Sequence, residues 1–286
     1  MIGTIANVTS CALLRPGHEW PRRFGFQIGA TKYHAPVTES DRGAADAYGT
    51  LAPADPAKLR VGLIDGLRAS RAAEREVFDA LDPATRDVAT ADGEWSAKDI
   101  LAHLSGWRQR MSDDLAGRRQ GRQAAPAPDL PIDEINSNLH AERADWPWDR
   151  VVADAEATSE TLAAEVSAAA DDVIADPKIV GSIMGDGPEH DLGHLTGVAA
   201  TVGKESQVLA LADTTLAILD RGGWPSRSDA HARYNLACFH ALGGNLDVAR
   251  SLLRQALPQD DELRTLAPKD DDLIALRAEI PTLAEG

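Results

Sequence analysis

The chain has 286 residues, 43% hydrophobic and 26% charged, a balance that suits one large folded domain or two smaller ones and excludes a largely disordered chain. With 29 basic against 45 acidic side chains the formal net charge is −16, which excludes general affinity for nucleic acid, since neutralising phosphate needs a basic face. The two cysteines, Cys11 and Cys238, form no C-x-x-C and point to neither a disulfide framework nor a thiolate zinc site.

No apolar run reaches the roughly 20 residues of a membrane-spanning helix, and the first dozen residues lack the basic and apolar regions of a signal peptide. The expectation is a cytoplasmic protein that contacts no membrane. Residues 1–56 mix Gly, Pro, His and Arg without a helical or strand period and end in Ala52-Pro53-Ala54-Asp55-Pro56, which predicts a disordered or loosely docked extension. Asn7-Val8-Thr9 matches a glycosylation acceptor, but without a secretory signal it is expected to stay unmodified.

Helical periodicity begins near Lys58 and carries Leu63, Ile64, Leu67, Val77, Phe78 and Leu81 before Asp82-Pro83 stops it. Glu94-Trp95-Ser96 opens a second helix, with Ser96 and Asp99 spaced as an S-x-x-D start and a stripe of Ile100, Leu104, Trp107, Met111 and Leu115. His103 falls beside that stripe, where it can point inward at the edge of a core. Residues 117–129, rich in Arg, Gln, Ala and Pro, read as an exposed loop. A short helix is expected over Ile132–Arg143. A longer one then follows Pro147, with Trp148, Val151, Val152, Ala155, Leu162, Val166 and Ala169 on its apolar face.

Asp176-Pro177 and Gly181 are expected to interrupt, and Gly187-Pro188 to start a helix running to about Gly203. Its Leu192, Leu195, Ala199 and Val202 lie on one side, with His190, His194, Gly197 and Thr201 roughly opposite. The histidines are therefore buried only if the helix is covered on both sides or lines a cleft. Gly197 and Thr201 are small enough to permit close approach of a partner helix.

From about Ser206 the character changes. Val208–Leu219 is apolar and helical, Arg221-Gly222-Gly223-Trp224-Pro225 breaks it, and helices are expected over Asp229–Leu242, Leu246–Leu257 and Leu273–Ile280. Ala237, Gly244, Ala249 and Ala256 have the spacing of small residues in a tetratricopeptide unit, and this segment resembles that family. The large aromatic positions of the unit hold His240, Leu246 and Leu253 instead. The acidic run Asp270-Asp271-Asp272 reads as solvated surface. No strand-like alternation of useful length appears, so the fold should be all-α.

His190 and His194, four residues apart, share one helix face and can reach a single metal ion. Two histidines seldom complete a site, and His103 is the best candidate for the third. Three neutral imidazoles with a coordination position left open suit zinc, nickel or ferrous iron. Asp99, Glu189 and Asp191 are candidates either to orient a ring or act as a base, or merely to favour a helix start. Trp107 is read as core rather than pocket wall. No nucleophile competes: Ser182 lies in no G-x-S-x-G elbow, and Cys238, between Ala237 and Phe239, reads as an ordinary buried residue.

Residues 58–204 resemble the DinB-like four-helix proteins, in the ClbS/DfsB branch. The resemblance is carried by Glu94 to Leu104, by Ile132-Asp133-Glu134-Ile135-Asn136, by Pro147-Trp148, and by Asp176-Pro177-Lys178 through His190-Asp191-Leu192-Gly193-His194. Many relatives have a Tyr before the histidine pair and a Glu ahead of its second member, where this chain has Gly187-Pro188 and Gly193. The resemblance implies a four-helix bundle over 57–204, metal ligands at His103, His190 and His194, and a stress or detoxification role. It further implies thiol S-transfer, thiol-dependent isomerisation or hydrolysis of a small electrophilic or toxic substrate, with a low-molecular-weight thiol as cosubstrate. The tail over 206–286 could instead recruit a protein partner, in which case the chain is a non-catalytic interaction protein and the bundle its support. Pairing of bundles into a homodimer is the remaining partner expectation.

Overall fold

The computed structural model of the chain describes residues 54–89, 95–122 and 131–285. The expected extension over 1–56 lies almost wholly outside the described residues, as do Asn7, Cys11, Glu94 and the Pro126–Pro128 part of the expected loop. Among the described residues the fold is all-helical, with a lone antiparallel bridge between Ala89 and Ser96 and no strand.

Helix α1 spans Pro56–Phe78, opened by Asp55, whose carboxylate accepts the Ala57 and Lys58 N–H groups, and by Pro56 with its preset φ. Helix α2, Ala97–Arg119, begins in a full capping box. Ser96 Oγ accepts the Asp99 N–H at 3.1 Å, and Asp99 Oδ2 accepts the Ser96 N–H at 2.9 Å. Then come α3 (Ile132–Arg143), α4 (Trp148–Ala168), the single turn α5 (Asp171–Ile174), α6 (Pro177–Gly185) and α7 (Pro188–Val202), which ends at left-handed Gly203 (φ 66°). The chain closes with α8 (Glu205–Asp220), α9 (Ser226–Leu242), α10 (Leu246–Ala256), α11 (Asp261–Leu266) and α12 (Ile280–Ala284).

Helix α2 lies along α4, and α1 packs on α4, α7 and α8. Helix α7 is covered by α1, α2, α6, α8 and α9, so every residue from Pro188 to Thr196 is buried. Over these residues both faces are interior, which reconciles the leucine stripe with the two histidines opposite, while Gly197 and Thr201 further along the histidine face are exposed. Helix α8 seats Val208, Leu211, Ala212 and Ile218 against its neighbours, and the apolar core is continuous across residues 204–206.

Several local expectations are corrected. Gly181 does not interrupt; it sits inside α6, because Asp176 caps that helix and Ile179, Val180 and Ile183 bury its apolar face. Nothing approaches Gly197. The close contacts fall elsewhere: a Cβ on Gly187 would come within 2.8 Å of Leu67, one on Gly66 within 3.0 Å of Pro188, and one on Gly62 within 3.0 Å of Trp224. The helix expected over Leu273–Ile280 is replaced by a 3-10 turn at Asp271–Leu273, and α12 starts only at Ile280. Asp270 and Asp272 are buried rather than solvated, since Asp270 caps that turn and accepts the Tyr234 hydroxyl at 2.7 Å. No described helix is long and apolar enough to cross a membrane.

Candidate metal centre

The capping box sets the register of α2 so that His103 projects between α2 and α7, opposite the two histidines of α7. His103 Nε2 and His190 Nε2 stand 3.0 Å apart, and the three ring centroids are 4.8–4.9 Å from one another. One donor nitrogen from each of His103, His190 and His194 lies within 4.8 Å of the other two. Each residue is at most 8% exposed, so water does not solvate a charge on any ring. Burial holds His103 and His190 well below the usual imidazole range, with repulsion from neighbouring histidines adding to it, and lowers His194 to about 3. All three are therefore neutral near pH 7, the form that ligates metal.

This donor set fits a divalent first-row ion. Nitrogens at about 2.0–2.1 Å from a tetrahedral ion lie roughly 3.3 Å apart, close to the separation of the two Nε2 atoms here. His103 Nδ1 and His190 Nδ1 are buried without a hydrogen-bond partner, so no carboxylate or carbonyl fixes those two rings from behind. Packing aligns them instead. Trp95 packs on His103 at 4.6 Å and lies nearly parallel to His194 at 6.4 Å, while Trp107 meets His103 and His190 edge-on at 6.3 Å. Trp107 is thus both a core residue and a wall of the site.

The carboxylates suspected of orienting a ring are engaged elsewhere. Asp99 Oδ2 closes the capping box and Oδ1 lies 3.3 Å from His140 Nε2; Glu189 accepts from Asn235 at 2.6 Å; Asp191 accepts from Arg108 at 2.8 Å. Arg108 belongs to a buried charge cluster below the histidines, where it also donates to both oxygens of Glu74, and Arg71 donates to Glu74 at 2.7 Å. Burial alone would raise Glu74, but Arg108 and Arg71 outweigh it and keep the carboxyl below its usual range. Asp191 is driven well above its usual range by burial, against the pull of Arg108 and with the Glu74 charge adding to it.

Sequence reasoning missed Trp95, Asn136, His140, Glu74 and Arg108. Asn136 and His140, one helical turn apart on α3, were legible only as polar residues of a short helix, and Arg108 as one more cation on α2. Two other donor groups occur among the described residues, His231–Asp260–Glu262 and Cys238–Asp270–Asp272. Structural duties account for their central carboxylates: Asp260 caps α11 and pairs with His231, and Asp270 caps Asp271–Leu273.

No family model matches the chain, and no curated protein or solved structure matches it. The functional reading rests on these residues.

Proposed function

We propose that the chain is a metal-dependent enzyme of the DinB-like type, with His103, His190 and His194 holding zinc, nickel or ferrous iron. In this reading α1, α2, α4 and α7 form the four-helix bundle over 57–204, supported by the packing of α2 on α4 and of α1 on α4 and α7. Helices α9 and α10 form a tetratricopeptide-like hairpin within 206–286, supported by the complete burial of Ala237, Ala249 and Ala256 where the two helices meet. The observation that carries the reading is the convergence of three buried imidazoles from two helices far apart in sequence.

When bound, such an ion supplies Lewis-acid activation of a water or small thiol. The chain supplies the rest. Trp95 and Trp107 exclude water and hold the rings, and the Arg71–Glu74–Arg108–Asp191 cluster ties α1, α2 and α7 together so that His103 keeps its position relative to the pair. The substrate class is a small electrophile, consumed by S-transfer or hydrolysis in a detoxification role.

The test is elemental analysis of protein purified without tag or chelator, comparing wild type with His103→Ala and His190→Ala. The expected result is about one transition-metal ion per chain in wild type and none in either variant. Wild type that takes up neither zinc, nickel nor iron would overturn the reading and favour an interaction protein whose partner binds 206–286.

A further inference from the structure

A fourth imidazole stands at the edge of the triad, and unlike the other three it is open to water. His140 lies in the last turn of α3 with its side chain 37% exposed and Nε2 3.3 Å from Asp99 Oδ1. Its ring is parallel to Trp95, at 5.8 Å and 9°, and Trp95 is the indole that packs on His103 and His194. A charge on His140 is near enough to repel one on His103. One turn earlier, Asn136 Oδ1 accepts the Trp107 indole N–H at 3.1 Å, so α3 touches both indoles that enclose the triad. Only Leu139 and Arg143 of this helix are buried.

Asp99 is divided between two tasks. Its Oδ2 is taken by the backbone N–H and hydroxyl of Ser96, which leaves Oδ1 for His140. A carboxylate beside Nε2 favours the tautomer with the proton on Nε2 and the lone pair on Nδ1, and it balances the charge if Nδ1 then gains a proton. The triad rings cannot serve this purpose, because burial strips them of charge. Asp191 and Glu189 each commit one oxygen elsewhere, to Arg108 and Asn235.

The geometry points to His140 as the proton acceptor of this site, with Asp99 as its positioning residue; the assignment rests on the metal reading above. A thiol entering the site loses its S–H proton to His140 Nδ1, and the bonding electron pair stays on sulfur. The imidazolium so formed faces the Asp99 carboxylate, with Nε2 3.3 Å from Oδ1. For an electrophile with a polarised double bond, the sulfur lone pair then forms the new bond to the electrophilic carbon as the π pair moves to the far atom of that double bond, and that atom takes the proton held by His140.

The test uses full-length, zinc-loaded protein, wild type and His140→Gln, with 2-mercaptoethanol as the probe. Calorimetry in two buffers of different ionisation enthalpy counts the protons released to solvent per thiol taken up, and zinc is measured on the same samples. The expected result is that His140→Gln keeps its zinc, releases about one proton more per thiol than wild type and binds the thiol roughly tenfold more weakly. A merely structural role for His140 would leave the proton count unchanged. Equal proton release from two zinc-loaded proteins, or no thiol uptake by zinc-loaded wild type, would overturn the assignment of His140 alone. Wild type that holds no zinc would remove this assignment together with the metal reading.

Discussion

Arg108 heads the fully buried side chains by size, and its neighbours explain how a cation is kept there. Removing it leaves Glu74 ionised in the interior beside Asp191, with only Arg71 as a direct partner of Glu74. Arg108→Met should therefore cost about 3–5 kcal/mol in chemical denaturation, while Arg108→Met combined with Glu74→Leu should recover part of that loss. Denaturation midpoints of the two variants and wild type check this. The triad makes a second prediction, for metal-free protein. The folded-state pKa of His194, about 3, lies below the unfolded value of 6.5, so above 6.5 neither state holds the proton. As pH falls below 6.5 the unfolded chain gains a proton that the native chain does not, and stability drops by about 1.4 kcal/mol per pH unit on this account. His194→Gln should flatten the stability profile between pH 6.5 and 4.5 by that slope relative to wild type. An unchanged slope would mean that the ring titrates in the native protein.

Among the elements, α2 opens on a cap that its sequence signal displayed. The S-x-x-D at Ser96 and Asp99 is a reciprocal pair of hydrogen bonds in the structure, and Ser96→Ala should lower stability by about 1 kcal/mol. Such a cap acts within four residues, so a sequence displays it whole. The C-terminal segment had no comparable signal, because 3-10 turns of three residues are too short to establish a period. Asp270, which caps one of its pieces, read from sequence only as a member of an acidic run, and Asp260, which caps another, carried no reading. Close helix approach was misassigned for a related reason: a glycine on a predicted face is indistinguishable from another until the partner is placed. The crowded one is Gly187, where a Cβ would meet Leu67 at 2.8 Å and the Ile183 carbonyl at 3.0 Å. Gly187→Ala should destabilise by about 1–3 kcal/mol and lower the melting temperature measurably, whereas Gly197→Ala, with open space around it, should not.

At the scale of the molecule, α8 and the turn after it join the tail to the helices that carry the triad. Trp224 and Ile218 press against Gly62 of α1, and the Gly223 carbonyl accepts the Asp55 N–H at 3.0 Å just before that helix begins. A chain ended at residue 204 would expose the α1 and α7 surfaces that α8 covers. It should be poorly soluble or melt well below full length, and a chain ended at 204 with wild-type melting would show that α8 contributes nothing to the core. The sequence by itself determined the long helices, the cap at Ser96 and the spacing of His190 and His194, because these depend on interactions over a few residues. Only the tertiary structure decided that His103 faces that pair, that α7 is buried on both sides from Pro188 to Thr196, and that Trp95 and Trp107 enclose the triad with His140 and Asn136 against them. Those juxtapositions depend on how α2, α3 and α7 pack across long stretches of chain, which no local pattern of side chains records.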